Sequence, residues 1–336
     1  MKIGVLGAGS WGIALTVLLA GNNNDVVVWS IDSDEINMLK EHREHKTKLP
    51  GVIIDDSVKF TTEISEAVLD MEMLVMVVPS PFVRSTAKKI APYVNSKQVI
   101  VNVSKGIEES SLMTLTEVIK DEIPDACVAV LSGPSHAEEV GHKMPTTVVA
   151  GASKKEIALF VQDTFMSDYF RVYTSPDVIG IELGGALKNV IALAAGIGDG
   201  LGCGDNSKAA IITRGISEIA RLGTAMGGHM ATFGGLSGIG DLIVTCASKH
   251  SRNRMAGYLM GKGKTYKEAM EEVHMVVEGV YSAKAAYLLS KKYNIEMPIV
   301  AMVNKVLFED FSATEAMKML LARMKTSEHT ALEWEN

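Results

Sequence analysis

Three cysteines are too few for a disulfide framework, and Cys127, Cys203 and Cys246 lie far apart with no CxxC spacing among them. That scarcity excludes a small disulfide-stapled fold and suits a reducing compartment. Positive charge is short as well. With 33 Lys and Arg against 40 Asp and Glu, the formal net charge is -7, which argues against nucleic acid as a partner, because such binding draws on clustered Lys and Arg to release counterions. The Lys88–Lys89 and Lys291–Lys292 pairs read as solvated helix faces. Metal-ligand patterns are also missing. Eight histidines are scattered, and the close pair His42 and His45 sits in the charged run EHREHK without further ligands, so that run reads as a solvated loop and no metal is expected. There is no internal repeat or low-complexity tract, and 47% hydrophobic with 22% charged residues is ordinary globular composition.

One long uncharged run, Ile3 to Gly21 after Lys2, superficially resembles a signal peptide or a membrane span. Gly4, Gly7, Gly9 and Gly12 interrupt it and another strand pattern follows, so a folded element is the better reading and membrane insertion is not expected. At 336 residues the chain exceeds the size at which one core usually stops growing, so two domains are expected. The first half alternates β-rich runs with helical stretches, as in a parallel sheet covered by helices. Strands are expected at 2–6, 25–30, 73–78, 98–101, 127–131, 146–150 and 170–173. The run MLVMVV (73–78) is apolar at every position, which places it in the sheet centre. Beyond about Thr174 helical patterns take over, so the boundary is set at Ser175–Asp177: an α/β domain over 1–177 with a mostly parallel sheet, then an all-α domain over 178–336. Thr265 with Glu268 and Ser312 with Glu315 read as capping boxes, and Met317, Met319 and Met324 as core packing at helical spacing.

GAGSWG, Gly7 to Gly12, matches GxGxxG, a weak signal alone that its context makes strong. It follows a five-residue strand, opens an apolar helix (13–20) and leads to the strand VVVW. In a Rossmann dinucleotide site Gly7 permits the tight turn, Gly9 leaves room for the pyrophosphate, and Gly12 lets helix and strand approach, while the helix N-terminus offers free N–H groups. A glycine turn without ligand is the alternative. Asp32, twenty positions past Gly12, stands where a carboxylate accepts from the adenosine ribose 2'-OH, which favours NAD over NADP. Neighbouring Asp34 and Glu35 also allow a merely solvated acidic loop. Further contacts belong at strand ends, at Pro79–Phe82 and Ser104–Gly106.

The second half opens with IGIELGGALKNVIALAAGIG, a helix apolar nearly all round and therefore expected to be buried, with Lys188 and Asn189 alone in its middle. Desolvation lowers a buried amine's pKa until it exchanges protons near neutrality. The bland alternatives are a structural ion pair or a stem reaching the surface. Asp241, in GGLSGIGDLIVTC, is a candidate partner that would orient the lysine yet raise its pKa, so a positive charge such as Lys105 or oxidised nicotinamide would have to offset it. In HSRNR, Ser251, Arg252 and Asn253 precede a helical stretch (255–259) and combine hydroxyl, guanidinium and amide donors suited to a small phosphate. A solvated basic turn is the alternative there.

Taken in order, GAGSWGIAL, VVPS, VSKGIE, LSGPSHAEEV, PTTVVA, ELGGALKNVIALAAGIGDGLG, NSKAAIITRG, GLSGIGDLIVTC, HSRNR and VVEGV resemble the bacterial-type NAD(P)-dependent glycerol-3-phosphate dehydrogenases over nearly the whole chain. The resemblance implies that Lys188 exchanges the C2 hydroxyl proton of sn-glycerol 3-phosphate while hydride passes to NAD or NADP, giving dihydroxyacetone phosphate. It implies substrate contacts at Lys105, Gly133, Ser135, Lys188, Asp241, Ser251, Arg252 and Asn253, and cofactor contacts at Ser10, Trp11, Ala137, Val276 and Glu278 together with Lys105 and Arg252. That family works in the cytoplasm, supplying the glycerol phosphate of membrane lipids, and the apolar helical half suits a homodimer. The segment WSIDSDE departs from the basic or His-containing stretch of many relatives. Two other readings stand beside this one: another two-domain hydroxy-acid dehydrogenase or ketopantoate-type reductase, which would not need HSRNR, and a nicotinamide-binding sensor without turnover.

Overall fold

Alternating side chains on the central strands serve two different cores. Ile3, Val5, Met73 and Val75 point into one apolar cluster, while Leu6, Leu74 and Met76 point into another on the opposite face, the signature of a sheet covered on both sides. In the computed structural model, which describes residues 1–274, 276–325 and 327–328, the strands are β1 (Lys2–Leu6), β2 (Asp25–Trp29), β3 (Glu44–His45), β4 (Leu49–Ile53), β5 (Lys59–Thr61), β6 (Met73–Met76), β7 (Val99–Asn102), β8 (Cys127–Ser132), β9 (Thr146–Gly151) and β10 (Phe170–Ser175). Eight form one sheet in the order β10-β9-β8-β7-β6-β1-β2-β5, parallel except where β8 meets β9. The strand order reverses at β1 and β6, so a crevice opens beyond their carboxyl ends, where open α/β sheets take ligands.

The helices within this half are α1 (Ser10–Gly21), α2 (Ser33–His42), α3 (Val83–Ile90), α4 (Leu115–Glu122), α5 (Ala137–Gly141) and α6 (Lys155–Phe165). The rest is helical: α7 (Val178–Gly200), α8 (Asp205–Ala225), α9 (Met230–Phe233), α10 (Asp241–Ala247), α11 (Arg252–Gly261), α12 (Tyr266–Val273), α13 (Glu278–Lys292), α14 (Pro298–Phe308) and α15 (Ala313–Leu321). Asp177 precedes helix α7 and its carboxylate accepts from the Gly180 N–H, capping the first turn. It is long and apolar enough to cross a membrane, but 89% of its hydrophobic window is buried against protein. Its glycine ridge admits α11 at very close range. A Cβ on Gly257 would stand 2.2 Å from the Leu193 carbonyl oxygen, and one on Gly196 2.0 Å from that of Arg254.

All seven expected strands are present, each within one to two residues of its expected ends. The segments β3, β4 and β5 were not foreseen, being two to five residues long and interrupted by Pro50 and Gly51. The run EHREHK is not a solvated loop. His45 is 1% exposed and its Nε2 bonds Glu35, itself buried, so the acidic loop is not merely solvated either. Of the three methionines assigned to the core, Met317 packs partly against it, but Met319 (46% exposed) and Met324 (91% exposed) face solvent, beyond the apolar stripe of α15. The Thr265–Glu268 box closes in both directions. Ser312 accepts from the Glu315 N–H, but Glu315 turns its carboxylate to Lys318 instead of back to the cap.

Candidate active site

The glycine turn is shaped around an absent volume. Gly7 has φ +129, a region closed to L side chains, and a Cβ on Gly12 would stand 2.1 Å from the Gly7 carbonyl oxygen. A Cβ on Gly9 would touch nothing within 4 Å, so that glycine is not required by packing and leaves open space over the start of α1. No side chain caps α1 and its first turn has no acidic residue, so its free N–H groups are available to an anion. Ser10 is buried beside them, and the buried Trp11 Nε1 has no hydrogen-bond partner among the described residues. This cradle fits the pyrophosphate of a dinucleotide. Asp32, exposed just past β2, caps α2 by accepting from the N–H groups of Asp34 and Glu35 at 2.9 and 3.2 Å.

At the carboxyl ends of β7 and β8 lies a triad of charges. Lys188, 6% exposed on α7, donates to Asp241 Oδ1 and to Thr245 Oγ1 (2.7 Å), while Lys105 Nζ donates to Asp241 Oδ2 (2.7 Å) and to the Gly133 carbonyl (3.0 Å). Thr245 in turn donates to the Asp241 carbonyl one helical turn back, at 2.6 Å. Burial drives the Lys188 pKa down, Asp241 raises it and Lys105 lowers it again, leaving it at about 8. Burial would raise the Asp241 carboxyl, but the two lysines hold it below its ordinary value. One carboxylate between two amines is thus ionised, and the deeper amine exchanges its proton near neutrality.

The SGPSH turn closes over this triad. Gly133 has φ +147, with a would-be Cβ only 2.9 Å from Val148 Cα, and Ser135 Oγ donates to the Gly133 carbonyl (2.9 Å). Ala137 is buried at the start of α5.

Across the site, α11 begins at Arg252, three residues earlier than the helical stretch read from sequence. Ser251 Oγ accepts from the Arg254 N–H (3.2 Å), which leaves its hydroxyl proton free. Arg252 is half-buried and forms no ion pair among the described residues. Arg254 and Lys208 both bind Asp199 near the end of α7, locking α11 in place. Asn253 is more engaged than a free amide donor: its Nδ2 donates to Asn189 Oδ1 (2.9 Å) and its Oδ1 accepts from the Gly279 N–H (2.8 Å). One amide therefore ties α7, α11 and α13 together. Val276 is half-buried ahead of α13, and Glu278 reaches the end of β6, where it accepts from Ser80 N (3.0 Å) and Ser80 Oγ. Burial pushes the Glu278 carboxyl up, against the Ser80 bonds and the charge of Arg252.

Residues 2–158 match the family model for the N-terminus of NAD-dependent glycerol-3-phosphate dehydrogenase, and residues 177–318 match that for its C-terminus. The chain belongs to the NAD-dependent glycerol-3-phosphate dehydrogenase family. A glycerol-3-phosphate dehydrogenase [NAD(P)+] of Agathobacter rectalis is 60% identical over 333 residues, covering 99% of both chains, and one of Fusobacterium nucleatum is 56% identical, covering 98% of both. The crystal structure of a glycerol-3-phosphate dehydrogenase from Coxiella burnetii superposes with a TM-score of 0.93 at 35% identity, covering 96% of this chain and 99% of that one.

Within this dehydrogenase frame the sequence reading missed Thr245, although its place four residues after Asp241 on one helix face was a usable signal. It also missed His136, whose buried Nε2 is unpartnered among the described residues and whose ring lies 6.0 Å from that of His250. Glu182 was passed over as well. Buried on α7, it accepts from Thr116 N (2.9 Å), Thr116 Oγ1 and Asn102 Nδ2, pinning the lysine-bearing helix to the sheet.

Proposed function

We propose that this dehydrogenase interconverts sn-glycerol 3-phosphate and dihydroxyacetone phosphate, with Lys188 as the proton-transfer group. The observation that carries the reading is the Lys188–Asp241–Lys105 triad, with an amine pKa of about 8. Bound nicotinamide supplies the hydride acceptor or donor. In oxidation the C2 hydroxyl proton goes to the neutral Lys188 amine as the C2–H hydride leaves, and in reduction ammonium returns that proton to the forming alkoxide oxygen. Asp241 and Thr245 aim the amine. Lys105, Gly133 and Ser135 line the substrate's path, while Ser251, Arg252, Asn253 and the N-terminus of α11 receive its phosphate. Gly7, Gly9, Ser10, Trp11 and Gly12 receive the pyrophosphate, Asp32 the adenosine ribose, and Ala137, Val276 and Glu278 the nicotinamide end. The division at 177/178, a homodimeric state and a cytoplasmic role in phospholipid supply belong to the same reading.

Loss of absorbance at 340 nm with purified protein, dihydroxyacetone phosphate and NADH or NADPH is the expected result. Lys188→Ala should abolish turnover while leaving coenzyme affinity within about threefold. Absence of turnover with either coenzyme would instead favour a nicotinamide sensor, in which Lys188 merely pairs with Asp241.

A further inference from the structure

Beside both the lysine–aspartate triad and the phosphate turn stands an imidazole that the proton transfer does not use. His136 ends the SGPSH turn, whose Gly133 carbonyl accepts from Lys105 Nζ (3.0 Å) and from Ser135 Oγ (2.9 Å), so the turn is tied to the triad. His136 is also the N-cap of α5, and its carbonyl accepts from the N–H groups of Glu139 (3.1 Å) and Val140 (3.0 Å). Its backbone is thereby fixed on both sides. The imidazole takes no part in that cap. It reaches instead toward the helical half, where its ring lies 6.0 Å from that of His250, the residue before Ser251 and Arg252. Its Nε2 is buried with no partner among the described residues. A buried polar atom is costly to leave unpaired, which makes this nitrogen a place for a ligand atom.

Burial holds the imidazole pKa below its ordinary value, and the charges of Lys188 and Lys105 lower it further against those of Glu138 and Asp241. The ring is therefore neutral at pH 7. A neutral ring adds nothing to the positive charge that a phosphate seeks and that Arg252 supplies. It suits an uncharged hydroxyl, because one tautomer of Nε2 donates to the hydroxyl oxygen and the other accepts its proton. Glycerol 3-phosphate carries a phosphate, a C2 oxygen and one free primary hydroxyl. In the proposed function the phosphate goes to Ser251, Arg252 and Asn253 and the C2 oxygen to Lys188, which leaves the primary hydroxyl to be received.

We propose that His136 Nε2 binds the free primary hydroxyl of the substrate and so selects a hydroxymethyl ketone over a methyl ketone, an assignment that rests on the activity proposed above. A substrate without that hydroxyl leaves Nε2 unpaired in a buried place and is disfavoured on that account.

The test compares kcat/KM for dihydroxyacetone phosphate with that for hydroxyacetone phosphate, which has a methyl group in place of the hydroxymethyl, using NADH. It is run on the parent chain, His136→Phe, His136→Ala and His136→Gln, with thermal unfolding and NADH affinity confirming that each variant is folded. Phenylalanine keeps a planar ring without nitrogens, alanine needs no added space, and glutamine keeps a donor and an acceptor. The parent's preference for dihydroxyacetone phosphate should shrink by about tenfold or more in His136→Phe and His136→Ala, almost all of it lost from dihydroxyacetone phosphate, and stay within about threefold of parental in His136→Gln. An unchanged preference in whichever of the Phe and Ala variants folds would overturn the proposal, including the case in which both substrates lose equally, as they would if the imidazole served the phosphate or only the packing of the turn. No turnover by the parent would overturn the proposed activity and this assignment together, whereas an unchanged preference on an active parent overturns this assignment alone.

Discussion

Removing the charge of Lys105 should make Lys188 a stronger base. Lys105 Nζ lies 2.7 Å from Asp241 Oδ2 and Lys188 holds the other oxygen, which puts the two amines roughly 5 Å apart. At an effective dielectric near 20, two unit charges at that distance repel by about 3 kcal/mol, and 1.36 kcal/mol corresponds to about one pH unit. Partial solvation of the Lys105 side chain, 18% exposed, reduces this, so Lys105→Met should raise the protonation midpoint of Lys188 by about one to two pH units from its starting point near 8. The sign is the same in both directions of the reaction. Oxidation needs the neutral amine, so kcat/KM for glycerol 3-phosphate rises with pH through the midpoint, and the variant's rise comes at higher pH. Reduction needs the ammonium, so kcat/KM for dihydroxyacetone phosphate falls with pH, and that fall also comes later. Absolute rates are expected to drop, since the proposed function places Lys105 on the substrate path as well, but a midpoint does not depend on amplitude. Profiles of parent and variant coinciding within about 0.3 pH unit would refute the electrostatic account of Lys188.

Three further outcomes follow from other parts of the molecule. Arg252→Ala should lower kcat/KM for dihydroxyacetone phosphate by about thirtyfold or more, equivalent to about 2 kcal/mol for a phosphate that loses its charged partner, and unchanged kinetics would move the phosphate elsewhere. Gly9→Val adds atoms where nothing stands within 4 Å, so its thermal unfolding should match the parent while NADH affinity falls at least about a hundredfold on titration. Glu218 caps α14 through the N–H groups of Ile299 and Val300, and burial pushes its carboxyl up to about 7. A folded-state pKa above the unfolded one favours folding at low pH and loses that contribution as pH rises through 7, so Glu218→Gln should flatten the decline of urea-measured stability between pH 5 and 7.5.

What was legible in the sequence was legible because it broke a local rule. Lys188 and Asp241 are charges set in apolar runs 53 positions apart, and a charge persists in such surroundings only if it is paired or put to use, so each could be singled out without knowing the other's position. The same reasoning found the seven main strands, since residues such as those of β6 are buried on both faces and show as unbroken apolar runs. Glu35, His45 and Lys48 were invisible to this logic. They lie in a stretch rich in charge, where polarity predicts solvent, and only the fold reveals that β3 and β4 turn them inward onto one another. Met319 and Met324 failed in the opposite sense, because spacing alone says which residues share a face but not whether a neighbouring element covers that face. The buried Lys188–Asp241 pair was therefore readable from composition along single helices. The Glu35 cluster is assembled from β2, α2 and the β3–β4 loop, and polar clusters leave no periodic trace.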